Sequence, residues 1–261
     1  MLETVSAEAV VAETVKKGAL YVVGTPIGNM SDISERAAYT LKSADFIAAE
    51  DTRVSGLLLS RLGIKNKLMS CREHNIVSKS VEIVKRLKDG ETCAVVSDAG
   101  MPCISDPGEV LVRMCAENNV PVYVVPGPCA LTAALAVSGL DTSRFSFEGF
   151  LSTTKKRRTS HLNSIKEGRQ TLIFYEAPHK LKSTLADLHE ILGDRKIAVC
   201  RELTKLYEEV IRGRISEITE LYETKKPRGE YVLVVEGAPK PPKRVKVNKY
   251  MTKGECKEGM G

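Results

Sequence analysis

Tryptophan is absent from the 261 residues, and aromatic side chains make up only 5%. Stacking on single-stranded bases is thereby excluded as the chief means of binding. No apolar run approaches the roughly 18 residues that a membrane span needs, so no membrane association is expected. Met1 to Lys17 carries three Glu and two Lys, without an apolar block ahead of a small-residue cleavage site. That is not the pattern of a secretory signal. The seven cysteines are odd in number, lie far apart and form no C-x-x-C pair. Neither a disulfide framework nor a zinc ribbon suits them, and reduced thiols in a cytoplasmic protein are the expectation.

The common ligand signatures are missing too. There is no G-x-x-x-x-G-K-[ST], which argues against a P-loop nucleotidase. The only G-x-G, Gly259-Met-Gly261, follows no strand. Neither a dinucleotide fingerprint nor the glycine loop of Rossmann-type methyltransferases is present. No H-E-x-x-H or other His/Cys spacing suits a metal, so none is expected. No serine sits in a G-x-S-x-G elbow.

What remains is an ordinary soluble composition, 43% hydrophobic and 28% charged, with Gly 19 and Pro 11. The length suits one large domain or two small ones. The net charge of +6 is unevenly spread, because residues 239–261 hold seven Lys/Arg against two Glu. This basic tail, with prolines at 239, 241 and 242, reads as an unstructured extension. It either contacts nucleic acid or anionic lipid, or simply solvates the protein. A second cluster, Lys155, Lys156, Arg157 and Arg158, lies inside the nearly neutral body. It is either a polyanion contact or a solvated helix face.

Short apolar runs rich in Val, Ile and Ala recur at 19–23, 46–49, 93–97, 122–125, 145–150, 171–175, 196–200 and 231–235. Most lack polar alternation, as strands covered on both faces do. Helical patterns lie between them. Asp32 and Glu35 suggest a capping box, Asp106-Pro107 an N-cap with proline at the first helical position, and Gly139 and Gly193 mark helix ends. The alternation predicts an α/β protein with mainly parallel or mixed sheets. An antiparallel pair is expected over 196–201 and 207–213. Two α/β domains, 18–127 and 128–238, would join at Pro126-Gly127-Pro128, between an N-terminal extension (1–17) and the basic tail (239–261).

In open α/β sheets, ligands bind beyond the carboxyl ends of the strands. The segments there are Gly24-Thr-Pro-Ile-Gly-Asn29, Glu50-Asp-Thr-Arg53, Asp98-Ala-Gly-Met-Pro102, Pro126-Gly-Pro-Cys-Ala130, Glu176-Ala-Pro-His179 and Glu202-Leu-Thr-Lys205. Five of the six are rich in Gly, Pro or small residues, which lets a ligand approach backbone. Four place a carboxylate within two residues of a strand end.

Read together, these segments resemble the tetrapyrrole-methylase superfamily, over about residues 18–238. Within it they are most similar to the ribosomal RNA small-subunit methyltransferase I branch, which methylates the 2′-oxygen of a cytidine. The specific stretches are Leu20–Asn29, Ala49–Arg53, Ser97–Gly108, Val125–Ala130, Phe174–His179 and Arg201–Lys205. Cys129 departs from the pattern, since serine is expected there. The resemblance implies S-adenosylmethionine folded into a cleft between the two domains. It would be held by Pro26, Ile27, Asp98, Met101, Cys129, Ala130, Glu176, Leu203 and the region of Gly229. It also implies small-subunit ribosomal RNA or the assembled subunit as partner, and a homodimer.

A ribose hydroxyl is a poor nucleophile at neutral pH and needs a base or a cation near its developing charge. Glu50, Asp51 and Glu202 are the carboxylates on offer, with Arg53, Lys205 and His74 as possible partners; Asp51 or Glu202 is the expected base, with Arg53 and Lys205 placing phosphate and ribose. The alternative is that Asp51–Arg53 and Glu202–Lys205 are structural ion pairs. Two other functions stay open: C-methylation of a corrin or porphyrin precursor, and RNA binding without catalysis.

Overall fold

A computed structural model describes residues 15–239 apart from Pro107. Most of the N-terminal extension, nearly all of the basic tail and the proline expected at a helix start lie outside the described residues. Among the described residues, ten strands and eight α-helices alternate in two lobes.

The first lobe contains β1 (Leu20–Val23), α1 (Glu35–Ser43), β2 (Phe46–Ala49), α2 (Thr52–Arg61), β3 (Leu68–Ser70), α3 (Ile76–Lys88), β4 (Cys93–Val96), α4 (Gly108–Glu117) and β5 (Val122–Val125). Its sheet is wholly parallel, in the order β3-β2-β4-β1-β5. β1, β2 and β4 are buried along their whole length, which explains their uninterrupted apolar sequence. Alternate residues serve opposite faces. Leu20, Val22, Phe46, Ala48 and Val95 pack with Ile83 and Leu87 of α3 and Leu111 of α4. Tyr21, Val23, Ile47, Ala49 and Val96 pack with Leu41 of α1 and Leu59 of α2.

The second lobe begins with α5 (Ala130–Ser138), followed by β6 (Phe145–Phe150), α6 (Lys155–Ile165), β7 (Thr171–Glu176), α7 (Leu181–Leu192), β8 (Lys196–Arg201), β9 (Glu209–Arg214), α8 (Ile215–Thr224) and β10 (Tyr231–Val235). The sheet order is β6-β7-β10-β8-β9. Only β6 and β7 run parallel; β10 enters between β7 and β8 antiparallel to both. β8 and β9 form the expected antiparallel pair. α6, α7 and α8 cover one face around Phe174, Leu185, Val199 and Leu233. α5 covers the other through Leu131, Ala134 and Leu135, where Ile27 from the first lobe joins the same cluster.

Two local expectations change. The cap of α1 is Ser34, whose Oγ accepts from the Ala37 amide at 3.1 Å. Asp32 instead closes a one-turn 3-10 helix, Met30–Asp32. Ser34 stands immediately before the first helical residue in extended conformation, which is the geometry an N-cap needs. Asp106 Oδ1 accepts from the Gly108 amide, the first of α4, at 2.9 Å. The other corrected residue is Arg158. Its Nε lies 2.5 Å from Asp187 of α7, and the two side chains are only 11% and 8% exposed. Its Nη1 donates to the Ser152 carbonyl at 2.9 Å. A guanidinium so enclosed is no phosphate contact, whereas Lys155, Lys156 and Arg157 are exposed.

Candidate active site

The carboxyl ends of β1, β4 and β5 are knitted by backbone. Gly24 donates to the Val125 carbonyl at 3.0 Å, while Thr25 and Gly100 exchange amide bonds of 2.9 and 3.2 Å. A Cβ on Gly24 would lie 2.6 Å from the Gly127 Cα, so both positions require glycine for their close approach. Gly100 has φ +83 and leaves space that a Cβ would contest with Ile27 and the Pro128 carbonyl. The three loops thus form one floor made mostly of main chain.

Above this floor is a cleft of about 440 Å³ between the lobes, within the size range of small-molecule sites. Its lining includes five carboxylates, Glu50, Asp98, Asp106, Glu176 and Glu230, and among the described residues no lysine or arginine. Phe150, Tyr175 and Tyr231 give it an aromatic side. Phe147 and Phe150 meet the Tyr175 ring edge to face, with centroids 4.9 and 5.5 Å apart. The Tyr175 hydroxyl accepts from the Leu131 amide at 3.1 Å, and burial pushes its pKa up to about 12. Nothing in the sequence sets Phe150 apart, because its strand position at 145–150 already accounts for it, while Tyr175 lies in one of the strand-end stretches without being singled out there.

Of the residues expected at the cofactor, Asp98, Met101, Cys129 and Glu176 line this cleft. Pro26 and Ile27 line an adjoining recess, which also includes Asp98. Glu176 is buried, and its oxygens accept from the Ala177 amide at 2.8 Å and the Thr184 hydroxyl at 2.5 Å. Ala130 and Leu203 pack into the hydrophobic cluster under α5. Gly229, at φ +81, lies where a Cβ would collide with the Glu202 carboxylate. His74 is exposed in the turn before α3.

The acid–base candidates form two ion-paired groups. Asp51 caps α2 and holds the Arg53 guanidinium at 2.5 Å, with Arg72 at 3.5 Å. Hydrogen bonds from the Arg53 side chain and amide keep the Asp51 carboxyl well below the usual carboxylate range. Glu202 accepts from Lys205 Nζ and from the Glu230 amide, both at 2.9 Å. Burial pushes its carboxyl up, but these bonds together bring it below its ordinary value. Lys205 also reaches Glu230 at 2.8 Å; burial pulls its pKa down, and the two carboxylates more than reverse this. Asp51 and Glu202, expected as bases, are therefore anchors for two cations and weak proton acceptors.

Glu50 is different. Burial, then the charges of Asp98 and Asp106, raise its pKa. The folded protein holds this proton more tightly than the unfolded chain does. The group therefore costs no stability at low pH, and its penalty grows as pH rises through the raised value. Glu50→Gln is expected to raise Tm above the parent's at pH 7–8, with the gap closing below pH 4. Thermal scans across pH, without ligand, check this.

Comparison with known proteins fits this geometry into a family. The chain matches the tetrapyrrole (corrin/porphyrin) methylases over residues 19–219. It is 49% identical to ribosomal RNA small subunit methyltransferase I of Thermotoga maritima over 220 residues, covering 84% of this chain and 99% of that protein. The Bacillus subtilis protein of the same name is 49% identical, covering 85% of this chain and 76% of that one. Uroporphyrin-III-C-methyltransferase from Thermus thermophilus shares the fold, with a TM-score of 0.60 at 21% identity over 84% of this chain and 94% of that one. The six strand-end segments, the backbone floor and these matches agree: the chain belongs to the tetrapyrrole methylase family, and within it to the group of the ribosomal RNA small subunit methyltransferase I proteins.

Proposed function

We propose that this protein transfers a methyl group from S-adenosylmethionine to the 2′-oxygen of a cytidine in small-subunit ribosomal RNA. The observation that carries the donor is the cleft itself: five carboxylates, aromatic rings and, among the described residues, no basic side chain. Such a lining is complementary to a cationic ligand with a flat apolar part, and hostile to a polycarboxylate tetrapyrrole. When bound, S-adenosylmethionine supplies a methyl group activated on a sulfonium. Asp98, Met101, Cys129 and the Gly100 backbone would hold it, beside Pro26 and Ile27. The acceptor reading rests on the names of the relatives and on the cations outside the cleft.

The chain's own residues supply positioning and charge. Lys205, kept an ammonium by Glu202 and Glu230, can stabilise an oxyanion, and Arg53, held by Asp51, can take a phosphate. Of the carboxylates Glu50, Asp51 and Glu202, Glu50 alone has its proton affinity raised, the direction that suits a base, whereas those of Asp51 and Glu202 are lowered. Glu50→Gln is accordingly expected to lower kcat about 100-fold or more while it raises stability at neutral pH.

The deciding experiment combines purified protein, S-adenosylmethionine and small ribosomal subunits or their RNA. The donor alone should raise Tm, and mass spectrometry should find the methyl group on a cytidine ribose. A mark on a base, or a mass gain only on a porphyrin precursor, overturns the acceptor. RNA binding without any donor-induced shift leaves a non-catalytic binding protein. We also propose that Lys155, Lys156 and Arg157 bind RNA phosphates. Their replacement by Ala should flatten the slope of log affinity against log salt by roughly 0.7–0.9 for each phosphate they neutralise.

A further inference from the structure

Seven residues, Glu202 to Glu208, connect β8 to β9, and their backbone is held in an uncommon shape. Glu202 and Thr204 have φ of +50 and +66, a region that side chains other than glycine rarely enter. The Thr204 hydroxyl is buried without a partner. Such costs persist only where the surroundings impose them, and they concentrate at functional sites. Here the ends are pinned: the Glu202 carboxylate accepts from Glu230, and the Thr204 amide donates to Glu208 at 2.6 Å. Between the pins, Leu206 is 89% exposed and Tyr207 67% exposed, the most exposed aromatic side chain among the described residues.

The loop lies at the acceptor side. Lys205, the residue before Leu206, lines a recess together with Gly28, Val54, Leu57 and Arg61. Val54 and Leu57 are themselves 43% and 55% exposed, on α2 of the other lobe. Apolar surface from both lobes thus meets the cations Lys205 and Arg61 here, with the carboxylates Asp98 and Glu230 in the same lining. The donor cleft next to it has no basic side chain among the described residues. Of the two, the recess alone offers cations to an anionic group, and the carboxylate-lined cleft suits a cation.

We infer that Tyr207, backed by Leu206, is the stacking platform for the base of an unpaired RNA nucleotide at the acceptor end of the cleft. This rests on the ribosomal RNA reading above. Stacking on one aromatic ring is tolerant of sequence, and its loss by alanine substitution weakens binding by a factor of roughly 5 to 150. The strained loop holds the ring in water beforehand, so little ordering remains to be done when RNA arrives.

The test uses the full chain, S-adenosylmethionine and small ribosomal subunits. Tyr207→Ala should lower kcat/KM about ten-fold or more, chiefly through KM, and Tyr207→Phe should restore most of it. Donor affinity by calorimetry should match the parent. The salt slope of RNA affinity should also stay unchanged, because the substitution removes no charge that neutralises a phosphate. Parental kcat/KM in Tyr207→Ala overturns the inference, as does impaired donor binding, which would make the loop a support for the cleft. A flatter salt slope overturns it too, since the residue would then act through charge. If the parent enzyme methylates no RNA, the functional reading fails first and the inference falls with it.

Discussion

Gly127→Ala is expected to abolish useful donor binding, lowering S-adenosylmethionine affinity at least about 100-fold. The added Cβ would sit 2.8 Å from the Gly24 carbonyl carbon and Cα, and 2.9 Å from its oxygen. These are backbone atoms, which cannot rotate away as a flexible side chain would. Overpacking of this kind costs about 1–3 kcal/mol, or roughly 2–12 °C in Tm at this size. The larger effect is local, because relief requires β1 and β5 to part where they form the cleft floor. Gly56→Ala is the control. Gly56 lies within α2, where a Cβ meets only Leu68 at an ordinary 3.7 Å, and Ala is the better helix former by about 1 kcal/mol. Calorimetry and thermal scans on both variants check the pair. Parental donor affinity in Gly127→Ala would show that the floor does not touch the donor.

Asp187→Ala is expected to be the most destabilising single change among the charged residues of the second lobe, at about 3–5 kcal/mol. It leaves the Arg158 guanidinium enclosed between α6 and α7 with backbone carbonyls of Ser152 and Thr153 as its remaining partners. Breaking one half of a buried pair costs more than replacing both halves. The double change Arg158→Met with Asp187→Leu should therefore recover much of the stability. Denaturant titration of the two single variants and the double gives the coupling directly. Because the guanidinium is already committed, the double variant should bind RNA with the parent's salt dependence. A flattened slope would return Arg158 to the phosphate-binding group.

These two cases mark how far the sequence can be read. β1, β2 and β4 of the first lobe are legible because burial on both faces leaves them no polar position. β3 is not: it has three half-buried residues at the sheet edge, too few to show a pattern. α2 is obscure as well, since Gly56 interrupts it and Val54 and Leu57 turn toward solvent instead of core. The strand-end segments announce the cleft, because only small residues permit the Gly24–Gly127 approach. The roles of charged residues are less accessible. Four consecutive basic residues at 155–158 look alike in sequence, but a helix turns each about 100° from the last. One of them therefore faces α7 while its neighbours face water. For the same reason of partnership, Asp51, Glu202 and Glu50 are equivalent carboxylates in sequence. Burial, most of all at Glu50, and then the arginine, lysine or other acids beside each make their proton affinities diverge.

The antiparallel entry of β10 between β7 and β8 carries a consequence for how the protein is made. The first sheet is complete once Val125 has been added, and every pairing within it joins strands already synthesised. The second sheet has no such self-sufficiency. Its central strand, Tyr231–Val235, is the last of the ten, and without it β7 and β8 share no hydrogen bonds. Emerging chains fold from the N-terminal domain onward, and pairings between distant segments form late. On the ribosome the first lobe can stand finished while the apolar faces of β7 and β8 still wait for their common neighbour. The cleft, which takes walls from both lobes and includes Tyr231 and Val232 of that strand, closes only once that strand has been made.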